Sequence, residues 1–388
     1  MHKQATPPFR NVPGQASGEL RSLPQKYFVS PEIFASEQQR IFAKEWLLVG
    51  HQSQIPDPGD FFIATVANES LIVTRDQQSQ VRAFFNVCRH RGSRLKEERC
   101  GHSSVIQCPY HAWTYGLDGR LMGAPHMDEV PRFNKAEYSL SSVKLGLWNG
   151  FIFVKSEPDG RNSKSSALTE RGGHSLEKWF APLNGKFSHW NMSILKSAKR
   201  IEYDVDANWK LMFENYSECY HCPGVHPQLQ KISPYDSAEN DLRQGPFLGG
   251  FMRVRRGKSL TMSGNTCALR VKDEEEEEDT DRVFYYTIFP NMLLSLHPEY
   301  VMVHQLWPQT PERTLIVCDW LFHPHAFGSK KFNPDDAIEF WDVTNRQDWH
   351  VCELSQQGIA SRAYQPGPFS SRESIPAAWD KYYLRMMK

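Results

Sequence analysis

Two short segments, Cys88-Arg-His90-Arg-Gly92 and Cys108-Pro-Tyr-His111, restrict this chain more than anything else in it. Each offers one thiolate and one imidazole, spaced C-x-H in the first and C-x-x-H in the second. With residues 91–107 between them, the four donors meet only if two loops are held tip to tip. The surrounding sequence suits that task. From Leu47 to about Val154 it runs in short β-rich pieces separated by turn residues, among them DFFIATV, SLIVTR and LWNGFIFV, which predicts a compact, mostly antiparallel β domain. Gly92, Pro109 and Gly116 suit tight loops whose backbone N–H groups point inward. A tetrahedral zinc centre fits four such donors. A [2Fe–2S] cluster fits them too, with both cysteines on one iron and both histidines on the other. The C-x-H-R-G form is unusual for zinc modules. Cys100 belongs to neither pair and reads as an ordinary cysteine.

A second cluster of metal-binding residue types lies in Glu214–His226, ENYSECYHCPGVH. The preceding NWKLMFENYSECYHC has a helical pattern, and Pro223-Gly224 is expected to end that helix, because proline disfavours helical geometry at Cys222. On an unbroken helix, residues five apart diverge by roughly 140°. The Pro-Gly break is what could aim His221 and His226 at one ion. Two histidines and one carboxylate form the facial triad of non-haem Fe(II) sites. Asp335, Asp336, Asp342, Asp348 and Glu353, in a helix expected from about Asn333, are the carboxylates on offer. Asp335 and Asp336 suit a helix N-terminus, with Asn333 as its cap. The Cys219–Cys222 pair reads as small packing residues, since four zinc ligands within a turn and a half of helix is not a usual arrangement. Glu214 reads as structural.

Composition narrows the rest. Net charge is zero from 45 basic and 45 acidic side chains, which speaks against a nucleic-acid partner. No apolar run is long enough to span a membrane, and the N-terminus lacks the apolar core of a signal peptide. A cytoplasmic location is expected, with cysteines kept reduced. Residues 1–25 read as extended, Ser30–Trp46 as a helix capped by Ser30, Ser156–Ser175 as an inter-domain connection, and Lys272–Asp281 as a solvated acidic loop. No G-x-G-x-x-G is present, so a nicotinamide is expected to bind another protein.

CRHRGSRL and CPYHAWTYGLDGRL together resemble the cluster-binding sequence of Rieske non-haem iron oxygenases, in their terminal oxygenase (alpha) subunits. The resemblance implies an α+β chain: residues 1–45 packing on the catalytic domain, an antiparallel β Rieske domain over 46–155, and a helix-grip (START/Bet v1-like) catalytic domain over 156–388. It places Cys88 and Cys108 on the buried iron of a [2Fe–2S] cluster, and His90 and His111 on the exposed one. RQDWHVCELSQQG resembles the family's third-ligand segment, which puts Asp348 with His221 and His226 on a mononuclear Fe(II). Glu218 then falls where the family carries the acidic bridge to a neighbouring subunit's cluster histidine. It would accept an N–H from each imidazole. NWKLMFENYSECYHCPGVHP resembles the branch acting on quaternary ammonium compounds, whose N-methyl hydroxylation releases formaldehyde, with glycine betaine the leading expectation. An aromatic substrate is the alternative reading, and a pure electron-transfer or binding protein the third. A homotrimer, O2 and a separate flavin/ferredoxin-type reductase fed by NAD(P)H are implied as well. A cationic substrate calls for an aromatic cage; Phe213, Tyr216, Tyr286, Phe289, Tyr300, Trp307 and Trp349 are the candidates.

Overall fold

The computed structural model describes residues 20–158, 175–269 and 281–388. Most of the extended N-terminal stretch, the Ser156–Ser175 connection and the Lys272–Asp281 acidic run lie outside the described residues. The chain forms two compact units, one spanning Gln38–Lys186 and the other combining the residues up to Glu37 with Phe187–Lys388.

In the second unit the chain begins with helices α1 (Lys26–Val29) and α2 (Pro31–Glu37). The Ser30 hydroxyl accepts from Ile33 N–H at 3.2 Å, the cap its position predicts.

The Gln38–Lys186 unit is built from three small antiparallel sheets. Strands β1 (Leu47–His51), β10 (Phe151–Pro158) and β9 (Val143–Trp148) form one. Strands β4 (Val81–Phe85), β3 (Glu69–Arg75), β2 (Asp60–Val66) and β5 (Cys100–His102) form another. Short strands β6 (Ile106–Gln107), β7 (Thr114–Tyr115) and β8 (Leu121–Gly123) form the third. Helix α3 (Leu176–Phe180) closes the unit, stacking Phe180 on Trp148 with ring centroids 4.2 Å apart. Cys88 and Cys108 are part of this unit's apolar core, among Phe61, Ile72, Phe84, Trp113 and Tyr115.

The other unit carries a seven-stranded antiparallel sheet in the order β11-β17-β16-β15-β14-β13-β12. These are β11 (Lys196–Val205), β12 (Glu239–Arg243), β13 (Phe247–Arg253), β14 (Arg282–Ile288), β15 (Met292–Leu296), β16 (Tyr300–Thr310) and β17 (Arg313–Phe322). Near-continuous burial along β15, β16 and β17 shows that helices cover the sheet. The covering helices are α4 (Trp209–Tyr216), α7 (Pro334–Ile359) and α8 (Ser374–Met386), with two short helices, α5 (Cys222–Val225) and α6 (Pro227–Ile232), between α4 and β12.

Local details depart from the sequence expectation. Helix α4 stops at Tyr216, and Pro223-Gly224 does not end it. Both residues lie inside α5, a separate helix, with Pro223 in its first turn, where a missing N–H costs nothing. At α7, Pro334 takes the first position, but Asn333 makes no side-chain cap bond. Asp336 instead accepts from the backbone N–H and hydroxyl of Ser263 at 2.9 and 2.6 Å.

Candidate active site

The two sulfur-and-imidazole loops are built alike. Cys88 N–H donates to Ser93 O and its own carbonyl accepts from Gly92 N–H. Cys108 N–H donates to Trp113 O and its carbonyl accepts from Ala112 N–H. Each loop therefore closes on its cysteine. Gly92, at φ +75°, takes the left-handed backbone that a glycine adopts without strain. Both thiols are buried in the same apolar cluster. The Cys88 Sγ is 3.4 Å from the Tyr115 hydroxyl, which also accepts from Arg89 N–H at 3.0 Å. The imidazoles lie outside the sulfurs. His90 is exposed and stacks on Trp113, with its ring centroid 4.7 Å from that of His111. The His111 Nδ1 is buried with no hydrogen-bond partner among the described residues. Two inward sulfurs and two adjacent imidazoles, one with an orphaned nitrogen, suit a cluster that takes sulfur on one side and nitrogen on the other.

The second centre is assembled by the break after α4. Ser217 N–H closes that helix on Phe213 O and Glu214 O. The chain then turns through Glu218, whose Oε2 accepts from the backbone N–H groups of Tyr220 and His221. Glu218 thus sits in the turn, not on a helical face shared with His221. Its Oε1 accepts from His221 Nδ1 at 2.6 Å. Across the site, His226 Nδ1 is held by Gln347 Oε1 at 2.8 Å. With both Nδ1–H groups donated, each imidazole presents the bare lone pair of Nε2. Those two Nε2 atoms are 3.2 Å apart, and Asp348 Oδ1 on α7 lies 3.2 Å from His221 Nε2 and 2.8 Å from His226 Nε2.

Three donors facing one point need a positive charge between them. Without a metal ion a proton supplies it. Burial disfavours a charged His221, but hydrogen bonds to Asp348 and Glu218 outweigh it and raise the imidazole to about 10. Burial likewise opposes ionisation of Asp348, yet the hydrogen bonds from His221 and His226 hold its carboxyl at about 2. A divalent cation bound by two imidazoles and a carboxylate satisfies the same geometry. Asp335, Asp336, Asp342 and Glu353 are not brought to this point. Asp336 binds Ser263, Asp342 accepts from Tyr203, and Glu353 accepts from Asp206 N–H.

Cys219 and Cys222 are buried, as packing residues should be, but they are joined by a disulfide. The expectation of two separate thiols is corrected here. The four-residue spacing across the turn leaves their Cα atoms 5.0 Å apart, inside the span a disulfide bridges. The Cys222 Sγ lies 3.9 Å from His221 Nε2 and, being bonded to Cys219, is no thiolate ligand.

A cavity opens from these residues between the helices and the sheet. Of the seven aromatic candidates, Tyr216 and Trp349 line it. The other four core rings pack elsewhere: Phe213 on Trp379, Tyr286 on Phe187, Phe289 on Tyr382 and Tyr300 on His297. Trp307, half-buried near the end of β16, does not line it either. Their sequence positions gave the strand or helix but not the face. Tyr285, Trp341 and Phe251 also line the cavity, outside the set of cage candidates. Trp341 and Asn345 stand seven and three residues before Asp348, a spacing that puts all three on one stripe of α7. Gln347 carried no such signal, because its partner His226 lies 121 residues away. Close approach explains Gly249 and Gly250 in the cavity wall: a Cβ on either would stand about 2 Å from a neighbouring strand's carbonyl oxygen, 2.0 Å for Tyr285 O and 1.9 Å for Glu239 O.

A β unit with paired Cys-His loops and a helix-covered sheet with a His-His-Asp centre together define an iron-dependent oxidoreductase. The sequence comparisons agree. Residues 45–134 match the Rieske [2Fe-2S] domain, and residues 192–388 match the ring hydroxylating alpha subunit (catalytic domain). The chain belongs to the Rieske oxygenases, as an oxygenase alpha subunit with a [2Fe–2S] domain and a catalytic non-haem iron domain. The glycine betaine monooxygenase oxygenase subunit of Chromohalobacter salexigens is 32% identical over 90% of this chain and 82% of its own length. The carnitine monooxygenase oxygenase subunit of Escherichia coli is 29% identical over 89% of this chain and 86% of its own. A crystal structure of a quaternary ammonium Rieske monooxygenase with L-carnitine matches with a TM-score of 0.74 at 25% identity, covering 95% of this chain and 96% of that one. Among the described residues no helix is long and apolar enough to cross a membrane.

Proposed function

We propose that this chain hydroxylates an N-methyl group of a small quaternary ammonium compound. The observation that carries the reading is the convergence of His221 Nε2, His226 Nε2 and Asp348 Oδ1 at the mouth of an aromatic-walled cavity. These three residues would hold Fe(II), and Cys88, His90, Cys108 and His111 a [2Fe–2S] cluster. Together the two centres supply electron storage and O2 activation when loaded. In balance, the quaternary substrate, O2, two electrons and two protons give the N-hydroxymethyl cation and water. That cation then breaks its N–CH2OH bond to leave the tertiary amine, formaldehyde and a proton.

The chain's own residues prepare for this. Glu218 and Gln347 fix the two imidazoles through Nδ1, so that Nε2 stays unprotonated and aimed. Glu218 is also proposed as the electron link to a neighbouring subunit of a trimer, accepting an N–H from an imidazole on each side. Tyr216, Tyr285, Trp341 and Trp349 line the cavity, and a desolvated ammonium is attracted to aromatic faces. Electrons come from NAD(P)H through a separate flavin reductase. The relatives named for glycine betaine and carnitine support this class of substrate.

The test is formaldehyde release from glycine betaine, proline betaine, choline and carnitine, with a surrogate reductase and O2. Stoichiometric formaldehyde from one of them supports the proposal. Failure of all four, with oxidation of an arene instead, would replace it by an aromatic-substrate reading.

A further inference from the structure

Among the described residues, three residues of the cavity wall keep a nitrogen without a partner, Asn240 Nδ2, Trp349 Nε1 and His304 Nδ1, and of these only the imidazole nitrogen can accept a hydrogen bond. His304, on β16, lines the cavity, is 1% exposed, and its Nδ1 has no hydrogen-bond partner among the described residues. Which proton it carries is fixed from outside the cavity. The Asp342 carboxylate, paired with Arg346 at 3.0 Å, can only accept, so the Tyr203 hydroxyl donates to it at 2.8 Å. The Tyr203 oxygen then accepts from Asn345 Nδ2 at 3.4 Å. That leaves Asn345 Oδ1 toward His304, whose Nε2–H donates to it at 3.3 Å. A neutral imidazole with its proton on Nε2 has a bare lone pair on Nδ1. Burial keeps it neutral, pushing the ring down to about 4 against the opposing influence of Asn345 and Asp348.

A buried acceptor without a donor is a cost that folding ordinarily avoids. The rings of Trp349 and Tyr216 lie 6.0 and 6.2 Å from that of His304, so a cation seated on them lies beside the acceptor. We propose that His304 Nδ1 is the substrate-recognition acceptor of this cavity, so that the preferred ligand is a quaternary ammonium compound bearing a hydroxyl group. The inference rests on the substrate class proposed above and narrows it.

The test compares binding of choline with binding of n-propyltrimethylammonium, the same shape with a methyl in place of the hydroxyl. Calorimetry on the iron-loaded, unreduced enzyme reads affinity without turnover. Wild type is expected to bind choline at least about tenfold tighter, the worth of one buried hydrogen bond. His304→Leu should bring the two affinities together while iron per chain is unchanged. Asn345→Leu, which frees the imidazole to move its proton to Nδ1, should shrink the preference without deleting the ring. Equal affinities in wild type, or an undiminished preference in His304→Leu, would overturn the assignment of His304 alone. Wild type that binds neither cation nor glycine betaine would overturn the substrate class, and this inference with it. The wild-type comparison decides the matter even where a variant does not fold.

Discussion

At the scale of single residues, one amide decides how firmly His226 is held. Gln347 Oε1 accepts from its Nδ1–H, and an acceptor behind a metal-bound imidazole is worth about 10–100-fold in metal affinity. Gln347→Leu is therefore expected to lose mononuclear iron during dialysis against a mild chelator while keeping the [2Fe–2S] absorption. Gln347→Glu, which retains an acceptor, should keep both. Glu218 behaves differently because it has two proposed tasks. Glu218→Gln preserves an oxygen for His221 Nδ1, so iron content is expected to stay within about twofold of wild type. Product formation should nevertheless collapse; normal turnover in that variant would end the electron-link proposal. Glu218, His221 and His226 were legible in the sequence because the chemistry is packed into nine consecutive residues. Asp348 needed the family resemblance, since Asp335, Asp336, Asp342 and Glu353 offered themselves equally on composition alone. Gln347 and His304 were illegible for a plainer reason. Their partners are set by which helix meets which strand, and nothing local reports that.

At the scale of elements, α4 is clamped to α8 by acids that share a buried environment. Glu214 on α4 and Asp380 on α8 are buried side by side, and neither Asp380 oxygen has a hydrogen-bond donor among the described residues. Burial pushes Glu214 up to about 7 and, with Glu214 beside it, pushes Asp380 well above the carboxylate range. The folded state thus keeps protons that the unfolded chain releases near pH 4. Stability from this pair is fully present below the unfolded values. It is lost as pH rises through about 7 and beyond, because the unfolded state then binds fewer protons than the native one. Asp380→Asn should flatten that loss. In scanning calorimetry between about pH 6 and pH 9, the Tm of wild type is expected to fall more steeply than that of the variant. A parallel pair of slopes would mean that the acids do not share a proton. Legibility at this scale followed periodicity. The β strands and α7 announce themselves by alternation or by a long helical stripe. Helix α8, Ser374–Met386, was passed over because Pro376 stands in its first turn, where proline is tolerated but reads as a breaker. The helical pattern runs to Cys222, six residues past the observed end of α4, for the same reason: Pro223 stands in the first turn of a helix and does not close one.

At the scale of the whole molecule, the proposal divides the work between subunits, and that division has a direct test. His90→Ala disables the cluster at an exposed position, and Asp348→Ala disables the mononuclear centre; each variant alone is expected to be inactive. Co-expressed in mixed oligomers, they should recover a measurable part of wild-type turnover if electrons cross from one subunit to the next. Recovery would be absent if each chain served only itself. The two-unit fold and its order were legible, because one motif sits in a stretch of short strands and the other in a mixture of helix and strand. The disulfide beside His221 was not, since a C-x-x-C reports spacing and not oxidation state. One consequence concerns how such a chain is made. Cys88 and Cys108 are 3% exposed and are packed into the apolar core of the Gln38–Lys186 unit. If they hold the cluster as proposed, its insertion cannot be a late decoration of a finished domain: the inorganic core has to arrive while the protein core is still open, and a cluster lost to oxidation is replaced only by partial unfolding.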